Sequence, residues 1–135
     1  MVDGKVIVLF GGPRSTLCVR YYEESRIAPV YFAEANRTLC FVDSDTDAVV
    51  ASIPAREVTG HEDLFIIECF VDDRDNVVFI AYGFSWGGTW AAGVYLHDFL
   101  LGRLSWLVSG YYVFHWVDAD NDGIPQADEI TREYP

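Results

Sequence analysis

The residues best equipped for chemistry lie near the C-terminus, where Asp118, Asp120 and Asp122 alternate, Gly123 follows, and Glu129 comes six residues after that glycine. This is the calcium-loop pattern D-x-D-x-D-G-x5-E. Calcium is a hard cation that takes six to eight oxygens, and alternating carboxylates on a tightly turned loop supply several from one short segment. The glycine permits the sharp turn, the carbonyl of Ile124 adds a ligand, and Glu129 closes the shell with both oxygens. The predicted Ca2+ ligands are therefore Asp118, Asp120, Asp122, Ile124 and Glu129. Three aspartates alone would read as an acidic surface turn; the glycine and the glutamate at matching offsets favour the cation. The left flank departs from a helix-loop-helix hand, because Tyr111–Val117 reads as a strand, and Pro125 stands where such hands carry an aliphatic residue. The expectation is a strand-borne loop of structural type and not a regulatory switch.

A second constellation is Gly83-x-Ser85-x-Gly87, after a predicted strand and before a predicted helix. That is the context of a nucleophile elbow, and Gly11-Gly12 after an earlier strand can supply oxyanion donors. A triad needs an acid and a histidine after the serine. Asp118 can be the acid, but no histidine follows it; His97 falls in the predicted helix, His115 in a strand, and His61 precedes the elbow. A serine without a base is a weak nucleophile. Ser85 with Asp118 is thus the alternative catalytic pair, weighed against a tight strand-to-helix turn made by glycines. Gly11-Gly12 has no further phosphate-loop residues around it and reads as a turn. Asp43-x-Asp45-x-Asp47 repeats the alternating carboxylates without glycine or closing glutamate, and reads as a solvated turn. Asn36-Arg37-Thr38 is a glycosylation sequon, with meaning only outside the cytoplasm.

These residues need elements to position them. Lys5–Phe10 is a short β-branched strand, apolar enough to be buried on both faces. Gly11-Gly12-Pro13 ends it, Ser15 or Thr16 caps a helix to about Arg26, and Val30–Ala33 resumes as a strand, which together open an α/β layer. Leu39–Asp43 with Ala48–Ile53, and Leu64–Val71 with Val77–Tyr82, flank acidic turns as hairpins. Phe65–Val71 admits a buried helix, but its length and β-branched content favour a strand. Thr89–Leu101, apolar nearly all round, is the buried helix, ended by Gly102 and Arg103. Tyr111–Val117 is the last strand.

The fold class that results is α/β: a single domain with a mixed sheet, β-hairpins, one buried helix and a C-terminal calcium loop. Composition fits, with 51% hydrophobic and 16% aromatic residues in a 135-residue chain, enough for a real core. The net charge of −12 makes nucleic acid and anionic membranes poor partners, since both need a basic footprint. No apolar run approaches the ~20 residues of a membrane span, and Val6–Phe10 is too short for a signal peptide. Cys18, Cys40 and Cys69 lack metal spacing. Cys40 and Cys69 share a Cys-Phe-Val-Asp tetrapeptide, so a bridge and free buried thiols are both readings, the thiols favoured.

The order of KVIVLFGGP, the YYEE helix, APVYF, GFSWGGTWAAGVYL and YYVFHWVDADNDGIPQADEI resembles the α/β modules of archaeal surface-layer-type (S-layer-like) proteins. The resemblance implies a non-catalytic, extracellular or cell-surface scaffold or adhesion module, with calcium and self-association or other surface proteins as partners. If the protein is exported, as the resemblance implies, the expectation is that this chain is a mature or excised form.

Overall fold

The computed structural model describes residues 4–102 and 110–134. In chain order the elements are β1 (Val6–Phe10), α1 (Leu17–Glu24), β2 (Val30–Ala35), β3 (Thr38–Asp43), β4 (Val49–Pro54), β5 (Glu62–Val71), β6 (Val77–Gly83), α2 (Trp86–Gly102), β7 (Gly110–Val117) and β8 (Ile130–Tyr134). The described residues form one small mixed α/β domain with two α-helices and two sheets. A five-stranded sheet runs β1-β6-β5-β7-β8, and a three-stranded sheet runs β2-β3-β4.

β5 sets the layers, because its side chains alternate between two apolar environments. Leu64, Ile66 and Phe70 face a cluster shared with Val19 and Tyr22 of α1 and with Val30, Phe41 and Ile53 of the small sheet. Phe65 and Ile67 face the other way, into a cluster with Ala91, Ala92 and Leu96 of α2 and with Phe114 and Trp116 of β7. The large sheet is therefore covered on one face by α2 and on the other by α1 and the small sheet. Phe65 stacks on Phe114 with ring centroids 5.0 Å apart, and truncating such a ring to alanine costs about 3–5 kcal/mol.

The hairpins fall where the acidic turns place them, and Leu64–Val71 is strand and not helix. β5 pairs antiparallel with β6, Val71 opposite Val77, and with β7, Phe65 opposite Phe114. β1 pairs parallel with β6, so the large sheet is mixed. α1 buries Val19, Tyr22 and Glu23, one stripe at helical spacing. It stops at Glu24, short of the expected Arg26, because Arg26 adopts φ 63.

Four expectations are corrected. β1 is an edge strand: Ile7 and Leu9 pack inward, while Val6, Val8 and Phe10 are 67%, 47% and 50% exposed, because α2 lies over β5 and β6 instead. β1 and β2 do not share an α/β layer, since β2 opens the separate small sheet. α2 is buried on one side through Ala91, Ala92 and Leu96, with Trp86 and Trp90 exposed; Arg103 lies outside the described residues. β7 is not the last strand, because β8 pairs with it and makes β7 internal. Cys18, Cys40 and Cys69 are all free thiols, Cys18 exposed and the other two buried. No helix among the described residues is long and apolar enough to cross a membrane.

Candidate metal centre

The carboxyl ends of β6 and β7 and the start of β5 meet at one end of the large sheet, as the register of Phe65 with Gly83 and of Glu62 with Val117 requires. Asp118 leaves β7 there, and its backbone N–H donates to the carbonyl of His61 at 2.8 Å. Its side chain is fully out of water. Oδ2 accepts the Gly123 N–H at 2.7 Å and lies 2.5 Å from His61 Nδ1, a separation that requires a proton between them. Oδ1 is buried with no hydrogen-bond partner. A buried carboxylate oxygen left this way costs about 1–3 kcal/mol or more, unless something unseen by the protein's own donors satisfies it.

Asp120 and Glu129 join Asp118 in a group whose ligand oxygens lie within 4.8 Å of one another. The loop winds on its own side chains. Asp120 Oδ1 accepts Asp122 N–H at 3.3 Å, and Asp122 Oδ1 accepts Ile124 N–H at 2.9 Å. Asn121 and Gly123 take φ 60 and 75, the conformation for which glycine is suited. Glu129 gathers the two ends of the loop: Oε2 accepts Ala119 N–H at 2.8 Å, and Oε1 accepts Gln126 N–H at 3.1 Å. Three of the five predicted ligands are thus brought together, while Asp122 lies outside the group and Ile124 exposes its side chain.

The three aspartates of the loop act on one another electrostatically. Loss of water, with the neighbouring Asp122 and Asp118 carboxyls, raises Asp120 to about 6. Burial pushes Asp118 up, but hydrogen bonds with His61, Gly123 and Asp120 outweigh it and hold the carboxyl at about 2. A set of carboxylate oxygens without thiolate suits hard cations such as calcium, magnesium or manganese.

Ser85 meets a different partner from the one its motif suggested. Its hydroxyl donates to Asp63 Oδ2 at 2.8 Å, and its backbone N–H donates to the same oxygen at 2.8 Å. Asp63 Oδ1 accepts Leu64 N–H at 2.8 Å and Phe84 N–H at 3.3 Å. The glycines explain themselves here: a Cβ on Gly88 would overlap Asp63 Oδ2, and one on Gly83 would overlap the Gly88 backbone. Ser85 is also the N-cap of α2, accepting Gly88 N–H at 3.4 Å. The Gly83-x-Ser85-x-Gly87 turn is a carboxylate-stapled strand-to-helix turn. Asp118, the alternative triad acid, is instead bonded to His61, and His115 lies between Glu62 at 2.7 Å and Glu133 at 3.2 Å.

The other acidic turns are absorbed by structure. Asp43 accepts Asp45 and Thr46 N–H groups and the Tyr111 hydroxyl, while Asp47 pairs with Arg26 and Tyr31. Asp72 caps its own turn through Arg74 and Asn76 and takes the Tyr22 hydroxyl at 2.8 Å.

Sequence reasoning missed the pairing of His61 with Asp118, the role of Asp63, and a buried carboxyl pair, Glu23 and Glu68. Glu23 accepts Phe32 N–H at 2.6 Å and the Tyr82 hydroxyl at 2.5 Å, and Glu68 accepts Val30 N–H at 3.0 Å, so both carboxyls fasten β2 to the large sheet. Burial pushes Glu23 up to about 7 and, together with Glu23, drives Glu68 well above the usual range. The available signal was the acids themselves: Asp63 and Glu68 interrupt a strand whose two faces are otherwise apolar and buried.

Trp116 joins the loop to the Ser85 turn. Its Nε1 points at Glu129 Oε1 at 3.5 Å, and its ring edge lies where a Cβ on Gly87 would come within 3.1 Å. In comparisons with protein-family models, curated proteins and solved structures, nothing matched this chain.

Proposed function

We propose that the chain is a non-catalytic, calcium-binding structural module of a cell-surface or extracellular assembly. The observation that carries the calcium reading is Asp118 Oδ1, a buried carboxylate oxygen without a partner beside the Asp120 and Glu129 carboxylates. Asp118, Asp120 and Glu129 would hold the ion, with Asp122 and the Ile124 carbonyl as the further ligands the motif supplies. Because Glu129 also bonds Ala119 and Gln126 and borders Trp116, the ion fastens the β7–β8 connection to the core. That is the work of a staple.

The surface setting follows from the S-layer-like motif order, and the sequon at Asn36 sits in an exposed turn where a glycan has room. The net charge of −12 suits an environment where divalent cations are plentiful. The serine-hydrolase alternative at Ser85 keeps the strand-to-helix turn in its favour, but the acceptor of the Ser85 hydroxyl is the Asp63 carboxylate in place of an imidazole.

Thermal melts in millimolar calcium and in chelator test the cation reading, with Asp120→Ala/Glu129→Ala as control. The expected outcome is a higher melting temperature in calcium for the wild type and none for the double variant. Identical melts for the wild type in both buffers would overturn it. For Ser85, covalent labelling by a fluorophosphonate that disappears in Ser85→Ala would restore the hydrolase reading.

A further inference from the structure

A cavity of about 400 Å³ opens at the carboxyl ends of the parallel strands β1 and β6. Two chain turns enclose it: Gly11–Ser15, leading from β1 to α1, and Gly83–Trp86, leading from β6 to α2. In open α/β sheets the crevice outside the carboxyl ends of parallel strands is where ligands bind, and this volume falls in the range of small-molecule sites. The backbone is brought in close on purpose. Gly11 has φ 113, and a Cβ on Gly12 would come within 3.1 Å of the Tyr82 ring.

The lining has a definite chemistry. Phe32, Tyr82, Phe84 and Trp86 give it aromatic walls; Phe84 is braced by stacking on Phe41, with centroids 4.4 Å apart. Arg14 is the one charged residue among those lining the cavity, in a chain whose net charge is −12. Its guanidinium lies 4.9 Å over the Phe32 ring, and Nη2 donates to Glu34 at 2.7 Å. That pair is largely exposed, so it resists a competing anion weakly, and the remaining guanidinium donors suit a carboxylate. Ser85 spends its proton on Asp63 and so faces the cavity as an acceptor.

We propose that this cavity is a binding site for a small aromatic acid, its ring against the wall formed by Phe32, Phe84 and Trp86 and its carboxylate on Arg14. A ring N–H or O–H meets Ser85. The site is independent of the calcium loop and of the structural role proposed for it.

Indole-3-acetate and the neutral indole-3-acetamide are the probes, titrated into ¹⁵N-labelled protein with the amides of Gly11, Gly12, Gly83 and Thr89 followed by NMR. The acid is expected to shift these amides saturably, with the amide binding at least about fivefold more weakly. Arg14→Gln, at an exposed position that leaves the fold intact, is expected to bring the acid down to the affinity of the amide and leave the amide unchanged. Trp86→Ala is expected to weaken both probes alike. No saturable shift up to about 10 mM acid, or equal affinity for acid and amide in the wild type, overturns the proposal. So does an acid affinity unaltered by Arg14→Gln.

Discussion

Asp63 and Asp118 stand at the same end of the five-stranded sheet, on neighbouring strands, and both are buried. Asp63 receives four hydrogen bonds, two on each oxygen, from Leu64, Phe84 and both donors of Ser85. Asp118 receives its bonds on Oδ2 alone and leaves Oδ1 with none. Burial therefore does not by itself distinguish a functional acid from a structural one. Nor does an unpaired oxygen, since Glu68 Oε2 is buried without a partner as well; what sets Asp118 apart is the pair of carboxylates, Asp120 and Glu129, gathered beside it. Asp63 completes a turn, whereas Asp118 lies beside two more carboxylates. Their protonation diverges: burial raises Asp63 to about 6 against its hydrogen bonds, while His61, Gly123 and Asp120 overcome burial at Asp118 and hold it at about 2.

The largest effect is expected from removing the satisfied acid. Asp63→Ala strands the N–H groups of Leu64, Phe84 and Ser85 in a dry turn, at about 1–3 kcal/mol for each donor left unpaired, or about 4 kcal/mol in all. Urea denaturation should return that loss equally in calcium and in chelator. A loss that calcium repairs would merge the two regions and break the contrast. Gly88→Ala, whose Cβ meets Asp63 Oδ2, should mimic it.

A smaller effect, about 3 kcal/mol, is expected from pH through Glu23 and Asp63. The folded pKa of Glu23 is raised to about 7 and that of Asp63 to about 6. For acids raised on folding, the native state holds more protons than the unfolded chain between about pH 4 and those values, so stability falls as pH climbs through that window. The protein should therefore be more stable at pH 5 than at pH 8. Glu23→Gln should shrink the difference, measured by calorimetry at both pH values. Asp118, depressed to about 2, should enter only below pH 4, where its protonation lowers stability.

How much of this was legible follows the same division. The loop residues declare themselves because the acidic pattern of one short segment is local: Asp118, Asp120 and Glu129 meet through turns that the intervening Asn121 and Gly123 allow. The hairpins were legible for the same reason, since Asp43 and Asp72 build their turns from their own next neighbours. What was not legible is long-range. The partner of Ser85 lies 22 residues away on another strand, and His61 lies 57 residues from Asp118. The glycines of Gly83-x-Ser85-x-Gly87 looked like an elbow because the same backbone need, close approach at a strand-to-helix turn, serves a carboxylate staple as well as a nucleophile. β8 escaped because Ile130–Tyr134 is largely exposed and carries little apolar alternation. The exposed face of β1 escaped because an apolar run shows no period, so an edge strand and a central one read alike.

Isothermal titration of calcium into the wild type and Asp118→Asn tests the central claim most directly. The wild type should bind a single calcium, and at a hundred times its dissociation constant the ion should add about 2.7 kcal/mol to the folded state. Asp118→Asn, which keeps the size of the side chain and removes the charge that Oδ1 would share with the ion, should bind none in the same range. Silent titrations of the wild type, or calcium binding that Asp118→Asn leaves intact, would contradict the account.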